Sequence, residues 1–229
     1  MENRLLEPSL IELRDKVLLM GGAAESALAR AMRALVERDP RLAQEVIDGD
    51  DIVDRMELEV DHLSVDIFAL KSPHAKDLRF VLMSSKLATI LERMCDIAAN
   101  IAKRSLLLMN EPQLKPYVDL PRMAEIIQEM LAKALESYAS ADSQKARAVI
   151  EEDSKIDSLY ARIFGDLIAY LSENPKSAAR VTQLLFITKH LERLADQITN
   201  ICELVVYIKE ARVIKHVHAV SGAGDGGRQ

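Results

Sequence analysis

The sequence predicts an all-α fold made of two tandem, sequence-related three-helix bundles. Three observations support this prediction: a composition poor in sheet-forming residues, prolines spaced at helix length, and an internal repeat. Of the 229 residues, 4 % are aromatic, none is Trp and only 8 are Gly. Strands favour aromatic and β-branched side chains, so long helices are the better prediction. Fractions of 49 % hydrophobic and 29 % charged residues exclude a disordered chain.

Proline divides the chain into segments of helix length. A proline is tolerated in the first helical turn because its missing N–H has no partner there. Five prolines stand where a helix could begin: Pro8, Pro40, Pro73, Pro121 and Pro175. The predicted helices span 8–37, 40–70, 74–109, 121–140, 142–172 and 176–214. Asp39 and Asp142 are the predicted N-caps of two of them, and residues 110–120 are predicted to link the halves.

An internal repeat relates the two halves of the chain. Residues 91–101 (LERMCDIAANI) match residues 191–201 (LERLADQITNI) at six of eleven positions, with an offset of 100. Residues 46–54 align with residues 149–157 at an offset of 103. Each copy then contains three helices, which predicts a first bundle at 1–110, a second at 111–216 and a disordered tail at 217–229.

Charge and hydropathy exclude two classes of protein. The formal net charge of −6 (30 Lys and Arg, 36 Asp and Glu) argues against a nucleic-acid-binding protein. No segment approaches the roughly 18 consecutive apolar residues of a membrane span, and the first residues do not resemble a signal peptide. The two cysteines, Cys95 and Cys202, fit a reducing compartment and form no zinc-type spacing. A cytoplasmic protein is expected.

Carboxylates recur at matching positions in both copies. Glu92, Asp96 and Asn100 are spaced i, i+4, i+8 and share one helix face, opposite an apolar face. We expect this face to point outward, and an antiparallel neighbour to bring a second pair of aspartates beside it. The candidate metal ligands are Asp50, Asp54, Glu92 and Asp96 in the first copy and Asp153, Asp157, Glu192 and Asp196 in the second.

Four clustered carboxylates repel one another, so they are either solvated and apart or held together by cations. The identical spacing in both copies favours cations over a solvated face. Oxygen ligands suit Mg, Mn, Ca or Fe, and the pattern does not choose among them. Arg93 and Arg193 follow the two glutamates, and an ion pair with a nearby acid competes with anion or partner binding. Glu57 and Asp61 have no acidic counterpart and are interpreted as surface charges.

The doubled LER-x-x-D-x-x-x-N-I motif, with the D-x-x-x-D pair before each copy, resembles the PhoU family of phosphate-uptake regulators. The segment from Ser72 to Arg79 and the pair Lys215 and His216 resemble the family as well, so the match covers about residues 5–216. The resemblance implies two helical bundles in a cytoplasmic, often dimeric protein. It also implies surface metal clusters, of iron or zinc among others such as manganese or magnesium, on the eight acids named above.

The function implied by this resemblance is binding rather than chemistry. Family members act as negative regulators that couple the ATPase subunit of a phosphate ABC transporter to a membrane sensor histidine kinase. They therefore reach the membrane through their partners only. The candidate partner contacts here are Arg93, Arg193, Asn100 and Asn200. Three alternatives stay open: a regulator of another transporter, a helical scaffold, and a carboxylate-bridged metalloenzyme. The enzyme is disfavoured because its ligands would point into the bundle core.

Overall fold

The computed structural model describes residues 3–114 and 117–214, with side chains from Leu6 onward. Within these ranges the protein contains helices and no strand, which confirms the predicted all-α class. The helices are α1 (Asn3–Glu37), α2 (Pro40–Asp48), α3 (Asp50–Lys71), α4 (Ala75–Met109), α5 (Asp119–Ser140), α6 (Ser143–Glu173), a 3₁₀ turn (Pro175–Ser177) and α7 (Ala178–Glu210).

The helices pack as two bundles that share one core. In the first half α1 packs against α2, α3 and α4, and in the second half α5, α6 and α7 pack against one another. The halves meet where α4 packs on α7 and where α1 packs on α5. Arg104, near the end of α4, donates a hydrogen bond to Gln183, near the start of α7, so these two helices run antiparallel. The buried apolar residues of both halves form one continuous cluster.

Two of the helices begin at the predicted N-caps. A carboxylate oxygen of Asp39 accepts hydrogen bonds from the backbone N–H groups of Arg41 (2.8 Å) and Leu42 (3.2 Å) at the start of α2. Asp142 accepts from Gln144 (2.9 Å) and Lys145 (3.0 Å) at the start of α6. Each carboxylate thereby satisfies two N–H groups that have no partner within the helix.

Replacing Asp142 with alanine is expected to destabilise the protein by about 1 kcal/mol, because both N–H groups lose their acceptor. The expected fall in Tm is about 2 to 4 °C for a chain of this size. Thermal unfolding followed by circular dichroism measures the change. Asp142→Asn is the control, since its amide oxygen can cap as well. A fall of equal size in both variants would contradict the capping explanation.

The structure corrects one predicted helix. Residues 40–70 were expected to form a single helix, but α2 ends at Asp48 and α3 begins at Asp50, with Gly49 between them. Glycine loses more backbone entropy in a helix than any other ordinary residue. The repeat places Glu152 at the equivalent position, and α6 runs through it without a break. The break places Asp50 in the first turn of α3, where the helix dipole favours a negative charge.

Both ends of the chain also differ from prediction. Helix α1 begins at Asn3 rather than residue 8, so Pro8 lies inside the helix and costs one backbone hydrogen bond near its start. Helix α7 ends at Glu210 rather than 214, because Ala211 has a left-handed backbone (φ 55°) that cannot continue a right-handed helix. Lys215, His216 and the predicted tail at 217–229 lie outside the described residues.

Candidate functional site

Helices α3 and α4 bring the four predicted acids of the first half together; we call them the first cluster (Asp50, Asp54, Glu92 and Asp96). Burial, the charge of Asp96, a hydrogen bond with Asp96 and the charge of Asp54 raise the pKa of Asp50 to about 6. Burial and the charges of Asp96, Glu57, Asp54 and Asp50 raise the pKa of Glu92 to about 7. All four carboxyl groups are therefore within electrostatic reach of one another.

The second cluster (Asp153, Asp157, Glu192 and Asp196) has the equivalent arrangement on α6 and α7. Burial and the charges of Asp157, Asp196 and Glu192 raise the pKa of Asp153 to about 6. Burial and the charge of Glu192 also raise the pKa of Asp196. The repeat in sequence is thus a repeat in electrostatics, with a group of mutually repelling acids in each half.

The clusters are less exposed than an outward-facing stripe would be. Asp54, Asp96, Asp157 and Asp196 are exposed as predicted, but Asp50, Glu92, Asp153 and Glu192 are half-buried. The predicted outward face is therefore partly buried at Glu92 and Glu192, whereas the aspartate pairs were expected to approach the neighbouring helix, and Asp50 and Asp153 do so. These four side chains lie toward the neighbouring helix of their own bundle, which explains why burial is the largest cause of the raised pKa values of Asp50, Glu92 and Asp153.

One lysine accompanies each cluster, from a different position in each half. Lys189 forms an ion pair with Glu192 (2.5 Å) in the second cluster, and its ammonium group lies 5.5 Å from the ring centre of Tyr160. In the first cluster Lys103 partly lowers the pKa of Asp50 against the causes that raise it. In the second cluster Arg193 also acts to lower the pKa of Asp196, so the acids outnumber the nearby cations in both clusters and each keeps an excess of negative charge.

Glu57 and Asp61 are not simply solvated surface charges, as the sequence suggested. Both are half-buried. Glu57 accepts a hydrogen bond from the hydroxyl of Thr89 (2.7 Å), and Asp61 accepts one from Ser85 (2.6 Å). They bind α3 to α4 and add negative charge beside the first cluster. In the second half Tyr160 and Phe164 stand at these positions, so this part of the arrangement is not repeated.

The ligand atoms of the two clusters suit metal ions, but the side chains are not yet arranged around a metal position. Each cluster offers carboxylate oxygens, the ligands that hard and borderline cations prefer, and a cation would relieve the repulsion that raises the carboxyl pKa values. Within residues 3–114 and 117–214, however, no three His, Cys, Asp or Glu side chains are already arranged as a metal site. Ion binding would therefore require small side-chain movements within each cluster.

This repulsion predicts how stability depends on pH in metal-free protein. A carboxyl group whose folded pKa is raised binds a proton more tightly in the folded state than in the unfolded state. For Glu92 the pKa rises from 4.5 to about 7, so stability falls as the pH rises between these two values. Replacing Glu92 with glutamine is expected to raise Tm at pH 8 by about 2 to 4 °C, or about 1 kcal/mol after solvent screening of a half-buried group. The gain should disappear at pH 4, where Glu92 is protonated in both states.

Thermal unfolding in the presence of a chelator measures this effect. Glu125→Gln on the exposed face of α5 is the matched control, because it removes the same charge away from both clusters. His190 works in the opposite direction, since burial and the nearby Arg104 and Arg193 lower its pKa to about 4, so its contribution to stability is lost as pH falls from 6.5. His190 is present in both the wild type and Glu92→Gln, so its contribution cancels when the two Tm values are subtracted at each pH. A gain that is the same at both pH values would contradict the prediction.

The four predicted partner contacts lie on α4 and α7. Arg93, Arg193 and Asn100 are exposed and Asn200 is half-buried. Neither arginine forms an ion pair with a described residue, so the ion-pair interpretation of these arginines is not supported there. Arg93 and Asn200, from different halves, line the same groove between α4 and α7. Sequence reasoning named both residues but did not place them together, because that requires the packing of α4 on α7.

The described helices contain no segment that is both long enough and apolar enough to cross a membrane. Fold and site together define the class of protein: a tandem pair of helical bundles, each with a surface cluster of acids from two neighbouring helices. The family model of the PhoU domain matches the chain twice, at residues 17–105 and 120–205. The chain belongs to the PhoU family.

Relatives and solved structures agree with this assignment over most of the chain. A phosphate-specific transport system accessory protein PhoU homolog from Aquifex aeolicus is 38 % identical over 209 residues, covering 91 % of this chain and 95 % of the relative. The PhoU homolog 2 from Thermotoga maritima is 38 % identical over 216 residues, with coverage of 94 % and 92 %. The crystal structure of PhoU from Pseudomonas aeruginosa has a TM-score of 0.86 at 33 % identity, covering 90 % of this chain and 99 % of that one.

A second crystal structure has the same fold. The phosphate transport system regulatory protein PhoU from Streptococcus pneumoniae has a TM-score of 0.82 at 31 % identity, covering 91 % of this chain and 99 % of that one. The likeness therefore includes both halves and the helices that carry both acid clusters.

Proposed function

We propose that this protein is a negative regulator of phosphate uptake and of phosphate-starvation signalling. The observation that carries the proposal is the match of both halves of the chain to PhoU domains, together with the names of the relatives as accessory proteins of phosphate-specific transport. In this role it links the ATPase subunit of a phosphate ABC transporter to a sensor histidine kinase. It does so in the cytoplasm, through protein contacts and as a homodimer.

The first and second clusters would hold metal ions in this regulator. The ligands would be Asp50, Asp54, Glu92 and Asp96 in the first half and Asp153, Asp157, Glu192 and Asp196 in the second. Bound ions of iron, zinc, manganese or magnesium would neutralise the excess charge and fix the distance between neighbouring helices within each bundle. The acids lie at the protein surface rather than in a closed pocket, so this arrangement favours binding over catalysis.

Deletion of the gene tests the regulatory role. Expression of phosphate-starvation genes is expected to rise in phosphate-rich medium, and a plasmid copy of the wild-type gene should restore repression. Copurification of the ATPase subunit and of the kinase under high phosphate tests the partners. Full repression in the deletion strain, with neither partner copurifying, would contradict the proposal and would favour a metal-binding helical scaffold.

A further inference from the structure

Among the described residues, an open groove runs between the first half of α4 and the last third of α7, and Val213 and Ile214, which follow α7, also line it. Apolar side chains of both helices line it, among them Met83, Ile90 and Leu204, and Leu82 at its edge is 43 % exposed. Its volume is about 700 Å³. Volumes of about 300 to 1,000 Å³ are typical of sites that take a ligand. The groove therefore has room for several side chains of another molecule.

The internal repeat places equivalent positions at the other end of the α4–α7 pair, and there Arg104 reaches across from α4 to α7; we call this end the filled groove. The guanidinium carbon of Arg104 lies 4.0 Å from the ring centre of Phe186. The same guanidinium group donates hydrogen bonds to Gln183 (2.8 Å) and to the ring of His190 (3.3 Å). A stacked and doubly hydrogen-bonded arginine is a well-ordered filling for a space of this kind.

Four differences between the copies distinguish the open groove. Met83 and Ile90 stand where Gln183 and His190, the hydrogen-bond partners of Arg104, stand at the other end. By the offset of 100, Leu204 stands where Arg104 stands in the filled groove, and Lys86 stands where Phe186 stands. The open groove thus lacks both the arginine and the ring that it would stack on. Because the same fold fills one end and leaves the other open, the cavity is a property of these side chains and not a requirement of the bundle.

The open groove carries unpaired positive charge along one wall. Lys86 and Arg93 are seven residues apart on α4, so they lie on the same face of the helix, and both are exposed. Among the described residues neither forms an ion pair, whereas Lys133 and Arg147 pair with Glu152 and Glu210. The opposite wall, on α7, carries amide groups and the carboxylate of Glu203.

We propose that this groove docks a helical segment of a protein partner, with an apolar face bordered on one edge by carboxylates. The apolar side chains would cover Met83, Ile90 and Leu204, and the carboxylates would pair with Lys86 and Arg93. Glu203 repels acids on the other edge, which fixes the direction of the segment. From Leu82 to Arg93 the groove extends about 16 Å along α4, which matches three turns of a docked helix. This inference rests on the proposed function in one respect, the identity of the protein that supplies the helical segment.

The test uses the full chain and a defined peptide of about 18 residues, long enough to form a helix. The peptide has leucines on one face, glutamates along one edge and glutamines along the other. Methyl signals of the methionines are followed by nuclear magnetic resonance, with Met83 assigned from a Met83→Leu variant. We expect a saturable shift of the Met83 signal, with binding at least about 10-fold weaker for a peptide with lysines in place of the glutamates.

Two variants test the groove itself. Lys86→Phe combined with Leu204→Arg restores the arginine and the ring that stack at the other end, without the two hydrogen bonds of Arg104, and should abolish the shift. Lys86→Gln combined with Arg93→Gln changes only exposed side chains and should weaken binding of the glutamate peptide alone. Lys176→Gln removes an exposed positive charge outside the groove and is the control. No saturable shift, or equal binding of both peptides, would overturn the proposal.

Other outcomes separate the docking site from the proposed function. A Met83 signal that shifts with protein concentration alone would show that a second copy fills the groove, which also overturns the proposal. If the purified ATPase subunit binds the wild-type protein and the groove variants equally, and the peptide does not bind, the regulatory function stands and this inference is wrong. If the peptide binds as expected but neither the ATPase subunit nor the kinase does, the inference stands and the assigned partners are wrong.

Discussion

If the two clusters hold metal ions as proposed, replacing both Asp96 and Asp196 with alanine should remove most of the bound metal. Each aspartate is the exposed member of its pair on α4 or α7, and each belongs to one cluster. Each single variant should therefore lose the ions of one half. In metal-free protein each substitution also removes like-charge repulsion from its cluster, so the helices should remain folded and the protein should not be destabilised. Elemental analysis gives the metal content, and circular dichroism confirms that the helices remain.

Asp66→Ala is the matched control for this experiment. Asp66 is an exposed acid on α3 that belongs to neither cluster, and its loss changes the net charge by the same amount as each single variant. It should leave the metal content unchanged. If the double variant retains the wild-type stoichiometry, the eight acids form a solvated face and the metal proposal is wrong. If Asp66→Ala loses as much metal as the single variants, the binding is a general effect of surface charge.

Replacing Tyr138 with alanine is expected to destabilise the protein by about 3 to 5 kcal/mol. Tyr138 is 2 % exposed and belongs to α5 in the second half, but its partners lie on α4 in the first half. Its ring stacks on Phe80 with ring centres 5.7 Å apart, and its hydroxyl hydrogen-bonds with Ser84 at 2.7 Å. Alanine would remove the ring and leave a cavity between the halves. A fall in Tm of about 10 °C or more should follow.

Tyr138→Phe separates the packing of this ring from its hydrogen bond. The hydroxyl of Ser84 also donates to the backbone carbonyl of Phe80 (2.7 Å), so it retains a partner when the Tyr138 hydroxyl is lost. We expect this variant to cost about 1 kcal/mol. Chemical unfolding monitored by circular dichroism gives both values. Equal costs for the two variants would show that the hydrogen bond, and not the buried ring, holds the halves together.

The repeat made much of the fold predictable. Its offsets of 100 and 103 identified equivalent helices, and the same offsets identified the eight acids that the structure brings into two clusters. This worked because helical periodicity alone decides which side chains share a face. The N-caps at Asp39 and Asp142 were predictable for a similar reason, since capping depends only on neighbouring residues.

Other features were hidden because they depend on contacts between helices. The half-burial of Asp50 and Glu92 follows from how closely α3 approaches α4, which periodicity does not specify. The hydrogen bond from Thr89 to Glu57 depends on the same contact.

The break at Gly49 had a visible signal, because the aligned repeat replaces that glycine with Glu152. Comparing the copies residue by residue would have found it.

The break at Gly49 gives the two halves different mechanics. Helix α6 is a continuous rod of 31 residues, so Asp153 and Asp157 are carried on a stiff element anchored along its length. Asp50 and Asp54 instead lie near the start of α3, directly after the junction at Gly49. An ion bound by the first cluster would bend the chain at Gly49. An ion bound by the second cluster would have to bend the continuous helix α6. The first half should therefore deform more easily than the second, and motion caused by ion binding would be concentrated where α2 meets α3.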